Sequence, residues 1–324
     1  MSIAFPTENR VRVTHYAQSK YYELSSTIWG DTDHKNYSAS LRAAGDDRLG
    51  IGVLGLPDAQ GIVTSIITMD GAGGSGTRAE LNAKITPIVR AALAQDLMIW
   101  LPRDVIGYCN KMGSNLPNQT YGTMNVAQFR QSPSGIVDFQ TANVGDTAPF
   151  KYDGDRLLPK RMYNPHDAIS NLSLLTRPQN LAQDLHDLGQ LETSRLDASD
   201  ASAQVTNVVG GGDLEQEPQE YAEHIPANAR AIFLLVTDGA RYNEVLLNDG
   251  ARLHSDNALT AMYSLWSQFK QYNPEMSQAQ RNYIQSQVHL SAKTTLKLLS
   301  DLAIHAGEFD DYTASLVFIY PLSS

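Results

Sequence analysis

The stretch Ile66-Ile67-Thr68-Met69-Asp70-Gly71-Ala72-Gly73-Gly74-Ser75-Gly76 constrains this chain more than any other. An apolar β-branched run stops at an acid and opens into glycines. Helical spacing then begins at Thr77-Arg78-Ala79-Glu80-Leu81. That order predicts a buried strand, a tight turn and a helix. An acid at the end of a buried strand is held by the core on one side and open on the other. The glycines let the main chain approach whatever that acid holds. The competing reading is an acid that caps the following helix, and the rest of the chain has to decide.

Other strands end in the same way. The apolar runs at 49–56 and 62–69 flank the turn Pro57-Asp58-Ala59-Gln60-Gly61, and the expected hairpin brings Asp47 and Asp70 to one rim. The runs at 121–129 and 136–144 flank Ser132-Pro133-Ser134-Gly135 and deliver Gly145-Asp146-Thr147. The run at 231–236 leads into Thr237-Asp238-Gly239, and Asp310 precedes the last strand at 314–320. One strand-end acid is ordinarily structural. Five of them, Asp47, Asp70, Asp146, Asp238 and Asp310, gathered at one sheet edge could not all stay ionised without cations. All-oxygen ligands suit Mg2+ or Mn2+ and disfavour zinc or copper. A carboxylate-bridged metal pair about 4 Å apart makes a water nucleophilic at neutral pH and neutralises a phosphoryl oxygen.

Between the strands, apolar spacing predicts a helix over 78–100 interrupted at Pro87, then a polar loop at 110–120. Asp153-Gly154 reads as a hairpin turn. Residues 164–214 are polar and punctuated, with a helical stretch near 181–191 and a glycine cluster at 210–212. Two more helices are expected at 257–272 and 278–305. Near the start, Val11-Arg12-Val13-Thr14 reads as an edge strand and Tyr21-Tyr22-Glu23-Leu24-Ser25 as another. Strands cluster at both ends without strict βαβ alternation, which favours an α+β sandwich over a parallel doubly wound sheet.

Composition narrows the function. The chain has 324 residues, 42% apolar and 19% charged, so it can bury a large core. A formal net charge of −10 argues against a general nucleic-acid or membrane-surface binder. The single cysteine, Cys109, excludes an intramolecular disulfide and Cys-based zinc fingers, and reads as a packed thiol. No run reaches membrane-spanning length, and Met1 to Arg10 carries no signal-peptide core. The expected location is cytoplasmic, or outside the cell by a route that reads no N-terminal signal.

Six segments in one order resemble the metal-dependent protein phosphatases of type 2C, the PPM family. Arg42-Ala43-Ala44-Gly45-Asp46-Asp47 resembles R-x-x-N-E-D, and Met69-Asp70-Gly71-Ala72-Gly73-Gly74 resembles D-G-x-G-G. Gly122-Thr123-Met124 resembles the G-T-T strand start, and Ala142-Asn143-Val144-Gly145-Asp146-Thr147 resembles A-N-V-G-D-S. Phe233-Leu234-Leu235-Val236-Thr237-Asp238-Gly239 resembles L-L-x-S-D-G, and Asp310-Asp311-Tyr312-Thr313 resembles D-N-x-T-V-V. The resemblance runs from Arg42 to Ile319.

It implies a four-layer αββα sandwich: two antiparallel β-sheets flanked by helix pairs, with metals at one end. Residues 1–324 would form a single domain, with 1–40 as an N-terminal extension or edge strands and 164–214 as a variable flap. Asp70 would bridge two ions, the Gly71 carbonyl would ligate one, and Asp238 and Asp310 would complete the second. Asp47 would support the first, and Asp146, with Asp238, would serve a third, weaker ion. Arg42 would clamp the substrate phosphate in a bidentate grip. The departures lie at the rim. Ala72 stands where relatives carry His or Met, a candidate general acid when His. Gly45-Asp46 replaces Asn-Glu, Thr147-Ala148 replaces Ser-Arg, and Asp311 replaces Asn. His166 and His254 read as surface histidines.

The function so implied is hydrolysis of phosphoserine and phosphothreonine on a protein substrate, by a monomer that needs Mg2+ or Mn2+. An alternative keeps fold and ions but cleaves a phosphodiester, removing AMP or phosphocholine from a modified protein. A non-catalytic pseudophosphatase is the third reading, and the retained acids speak against it.

Overall fold

The computed structural model describes residues 9–18, 25–29, 37–44, 47–56, 61–71, 78–115, 122–154, 172–191, 204–237, 252–305 and 311–322. Among them the strands are β1 (Val11–Gln18), β2 (Ser25–Trp29), β3 (Tyr37–Ala44), β4 (Asp47–Gly55), β5 (Ile62–Asp70), β6 (Thr123–Gln131), β7 (Val137–Val144), β8 (Ala148–Tyr152), β9 (Leu172–Leu174), β10 (Gln219–Ile225), β11 (Ala231–Val236) and β12 (Tyr312–Ile319). The α-helices are α1 (Arg78–Ala92), α2 (Pro102–Ser114), α3 (Leu181–Asp187), α4 (Arg252–Lys270) and α5 (Gln278–His305). The strands form two sheets, ordered β1-β12-β11-β8-β9 and β10-β7-β6-β5-β4-β3-β2. Every pairing between neighbours is antiparallel.

The layers follow from which face each residue presents. Along β11, Ile232, Leu234 and Val236 pack beneath α4 and α5, while Ala231, Phe233 and Leu235 pack between the sheets. A strand buried on both faces reads as one apolar run, which is why Ala231-Ile232-Phe233-Leu234-Leu235-Val236 does not alternate. In β5, Ile67 and Met69 meet the core under α1 and α2, and Ile66 turns to the other sheet. Helices α1 and α2 pack together against the larger sheet, and α4 and α5 against the smaller. The expected αββα sandwich is what forms.

The layer between the sheets changes character along the strands. Phe129, Phe139 and Phe233 fill one end, with ring centroids 4.7, 5.5 and 4.3 Å apart. Each buried ring contributes roughly 1.5–3 kcal/mol, and each aromatic pair about 0.5–1.5 kcal/mol more. Further along, Arg42, Leu49, Thr68, Asn125 and Asn143 are successive cross-strand partners from β3 to β7. Leu49 packs between the sheets, so this whole row faces the opposite sheet. Beyond it stand Asp70 and its partner Thr123. Asp47 falls opposite Asp70, because Arg48 pairs with Met69. The facing strand β12 runs from Ile319 and Val317 to buried Ser315 and Thr313. The layer is therefore apolar at one end and polar at the other.

Arg10 closes the apolar end. It is 1% exposed, and its guanidinium donates to the carbonyls of Tyr320, Gly135, Pro226 and Ala229. Lys151 and Glu223 pair between the two sheets near an edge.

Several local expectations need correction. Pro87 does not interrupt α1, which continues through it to Ala92. Burial of Ile85, Ile88, Val89 and Ala92 outweighs the one missing N–H. The helix then gives way to a 3-10 turn at Leu97–Ile99 instead of reaching Trp100. Asn110 to Ser114 is not loop but the last turn of α2, which begins with Pro102 and buries Val105, Ile106, Cys109 and Gly113. Asp153-Gly154 does not close a tight hairpin, since Tyr152 pairs with Leu172. The edge strand β10 is an element the sequence reading passed over. Val11 to Thr14 does lie in an edge strand, β1. Of Tyr21 to Ser25, only Ser25 is described, at the start of β2.

Candidate functional site

Asp47, Asp70 and Asp146 lie at the polar end and are 1%, 8% and 1% exposed. Asp47 opens β4, and its Oδ2 accepts a 2.8 Å hydrogen bond from Thr237 Oγ1, which ties the two sheets together. Thr237 in turn donates its N–H to the Thr313 carbonyl at 3.0 Å, and its Oγ1 accepts from the Thr313 N–H at 3.1 Å. Asp238 and Asp310 lie outside the described residues. The strand ends that adjoin them, Thr237 and Asp311, are both buried here.

Asp70 ends β5 beside buried Gly71. Ala72 is outside the described residues. Gly122 lies against Asp70: a Cβ at 122 would stand 2.6 Å from the Asp70 carbonyl oxygen and 2.7 Å from Met69 Cε. The Gly-Thr step is thus a requirement of close main-chain approach.

Asp146 lies in the turn between β7 and β8. Gly145 before it has φ +86°, and a Cβ there would fall 2.5 Å from Thr123 Cγ2. Asn143 Nδ2 donates to the Gly145 carbonyl at 3.1 Å, and Thr147 Oγ1 donates to Asn143 Oδ1 at 2.9 Å. Asn125 Nδ2 donates to Thr141 Oγ1 at 2.8 Å and the Ala142 carbonyl at 3.2 Å. The turn is a knot of buried amides and hydroxyls, each with a defined partner.

Arg42 is exposed on β3, in the row just inside Asp47 and Asp70. His15 of β1 lies within reach of its charge. Burial, then the charges of Arg42, Lys293 and His289, push the His15 pKa down to about 4. Cys109 is a packed thiol whose burial pushes its pKa up to about 12.

The fold therefore brings Arg42, Asp47, Asp70, Gly71 and Asp146 to one end of the sandwich. Among the described residues no three acids, histidines or cysteines form a metal-holding group. The chemistry of the donor set nonetheless fits a hard divalent cation: buried carboxylates and a main-chain carbonyl, all oxygen. Sequence reasoning missed Thr237, Asn125 and Asn207 as supports. Their available signal was polar residues within or beside buried strands.

No family model matches the sequence, and no curated protein is significantly similar to it. Solved structures do match. The Mycobacterium tuberculosis serine/threonine phosphatase PstP/Ppp superposes with a TM-score of 0.52 at 14% identity, over 96% of this chain and 99% of that one. A bacterial serine phosphatase gives 0.54 at 14% identity, over 93% and 100%. The S. agalactiae serine/threonine phosphatase gives 0.52 at 17% identity, over 92% and 100%. The chain has a PP2C-type fold over nearly its whole length.

Proposed function

We propose that this chain is a Mg2+- or Mn2+-dependent phosphoprotein phosphatase that hydrolyses phosphoserine and phosphothreonine monoesters. One observation carries the proposal: three buried carboxylates, Asp47, Asp70 and Asp146, stand at the polar end of a PP2C-type sandwich. Asp70 and the Gly71 carbonyl would hold the ions together with Asp238 and Asp310. Asp47 would support the first ion, and Asp146 a third. Bound there, the ions would supply an activated water and offset charge on the phosphoryl oxygens.

The chain's own residues do the positioning. Arg42 presents a planar fork of donors in the row beside the acids, suited to two phosphate oxygens at once. That grip would fix the phosphorus relative to the strand ends. Thr237 holds the Asp47 carboxylate in one orientation. With Ala72 in the glycine loop, no side chain at that position can protonate the leaving oxygen, so its proton would come from water or another group.

Asp70→Asn and Asp238→Asn should each lower Mn2+-dependent turnover of a phosphoserine peptide by about 100-fold or more, beyond the loss typical of an outer ligand partner. Excess EDTA should stop turnover and Mn2+ restore it. Near-normal turnover in either variant would sink the assignment. An AMP-modified protein in the same screen separates phosphomonoester from phosphodiester cleavage.

A further inference from the structure

Gln179 belongs to none of the motifs above, yet it holds the main chain that carries Asp146. It is 0% exposed and lies between β9 and α3. Its N–H donates to the Gly145 carbonyl at 2.8 Å, and the Gly145 N–H donates to Gln179 Oε1 at 3.0 Å. Gly145 is thus gripped through both its donor and its acceptor by one residue. The same Oε1 accepts from Asn207 Nδ2 at 3.0 Å, and Nε2 donates to the Glu217 carbonyl at 3.1 Å. The Gln179 carbonyl accepts from the Thr206 N–H at 3.0 Å, and Asn207 Nδ2 also reaches the Gln216 carbonyl at 2.8 Å.

Three pieces of the 175–218 segment thereby converge on one buried amide. The segment reaches the site a second time. Val209 and Gly122 exchange hydrogen bonds, 3.1 Å from the Gly122 N–H and 2.8 Å from the Val209 N–H. Gly122 is the residue packed against the Asp70 carbonyl. A buried amide network of this kind fixes one arrangement when complete, and loses about 1–3 kcal/mol for each buried group left unpaired.

We propose that Gln179 is a positioning residue that sets the Asp146 carboxylate for a divalent cation and couples the 175–218 segment to that ion. The inference rests on the metal-dependent reading above. Gln179→Met keeps the approximate volume and removes the amide. The test titrates Mn2+ into the metal-free full chain, followed by calorimetry and electron paramagnetic resonance. Wild type, Gln179→Met, Asp146→Asn and the double variant are compared.

Gln179→Met should weaken the weakest class of Mn2+ about 10- to 100-fold, as removal of an outer ligand partner does, and leave the tighter class unchanged. In the Asp146→Asn background the same substitution should change Mn2+ binding by less than about twofold, because the two act as one unit. Without metal, the Gly145 amide should exchange faster in Gln179→Met than in wild type. Should Gln179→Met fail to fold, Asn207→Ala leaves Gln179 in place and is read the same way, with a shift of roughly threefold expected for one lost support. A Mn2+ profile equal to wild type overturns the inference alone. Equal weakening with and without Asp146 also overturns it. A wild-type chain that binds no Mn2+ overturns the metal-dependent reading and the inference together.

Discussion

Removing the Arg10 guanidinium should be among the more damaging single changes to stability, while sparing the chemistry. Its donors reach four carbonyls, on Tyr320, Gly135, Pro226 and Ala229, from three separate stretches of chain. Arg10 also takes part through its main chain: its N–H donates to Gln131 Oε1 at 2.7 Å, and its carbonyl accepts from the Tyr320 N–H at 3.1 Å. Those two bonds survive a side-chain substitution. The four guanidinium bonds do not. Each net hydrogen bond contributes about 1 kcal/mol, so Arg10→Ala should cost about 4 kcal/mol, a large effect for a point change. Equilibrium urea unfolding of wild type, Arg10→Ala and Arg10→Met measures it, with an unchanged m-value required for the comparison. Arg10→Met fills the space of the aliphatic stem without the donors. If Arg10→Met regains most of the stability, packing and not hydrogen bonding holds this end, and the reasoning is refuted. A loss below about 1 kcal/mol in Arg10→Ala refutes it too. Turnover per folded molecule should stay near wild type, since Arg10 lies at the opposite end from the acids.

Gly122→Ala should cost about 1–3 kcal/mol in thermal or urea unfolding through overpacking, because its Cβ would meet the Asp70 carbonyl oxygen at 2.6 Å. Unlike Arg10→Ala it should also raise the Mn2+ concentration needed for half-maximal turnover. An unaffected Mn2+ requirement would show that Asp70 tolerates displacement. The His15 pKa is lowered from 6.5 to about 4, so the folded state disfavours the imidazolium. Its contribution to stability is present above pH 6.5 and is lost as pH falls toward 4, amounting to roughly 2 kcal/mol of loss at pH 5. Urea unfolding of wild type and His15→Leu at pH 7.5 and pH 5 isolates that share. The same pH response in both proteins would refute it.

How much of this was legible depends on where each residue's neighbours come from. Asp47 and Asp70 were readable together because one hairpin determines both positions, and the register Arg48–Met69 follows from a local turn. Asp146 was readable because Gly145 beside it marks a turn at a strand end. The polar inner row was not. Thr68, Asn125 and Asn143 alternate with apolar residues, and such alternation in a sequence reads as a solvent-facing side. Here that side faces a second sheet brought in from far along the chain. Helix α2 was missed because it contributes few apolar residues beyond Val105, Ile106 and Cys109, over a polar outer face. Strand β10 was missed because only Ile225 of its seven residues is buried. Gln179 could not be read as a support at all. Its partners lie at Gly145, Asn207 and Glu217, and no local pattern encodes a contact across such separations.

The lengthwise division of the inter-sheet layer has a mechanical consequence. The aromatic end is fastened by area and by the Arg10 clamp, so the two sheets are pinned there like leaves on a spine. At the acid end they are joined by hydrogen bonds such as Thr237 to Asp47. Bonds of that kind lose little when water replaces a partner. A small parting of the leaves at that margin is therefore the inexpensive deformation of this fold, and it leaves the spine untouched.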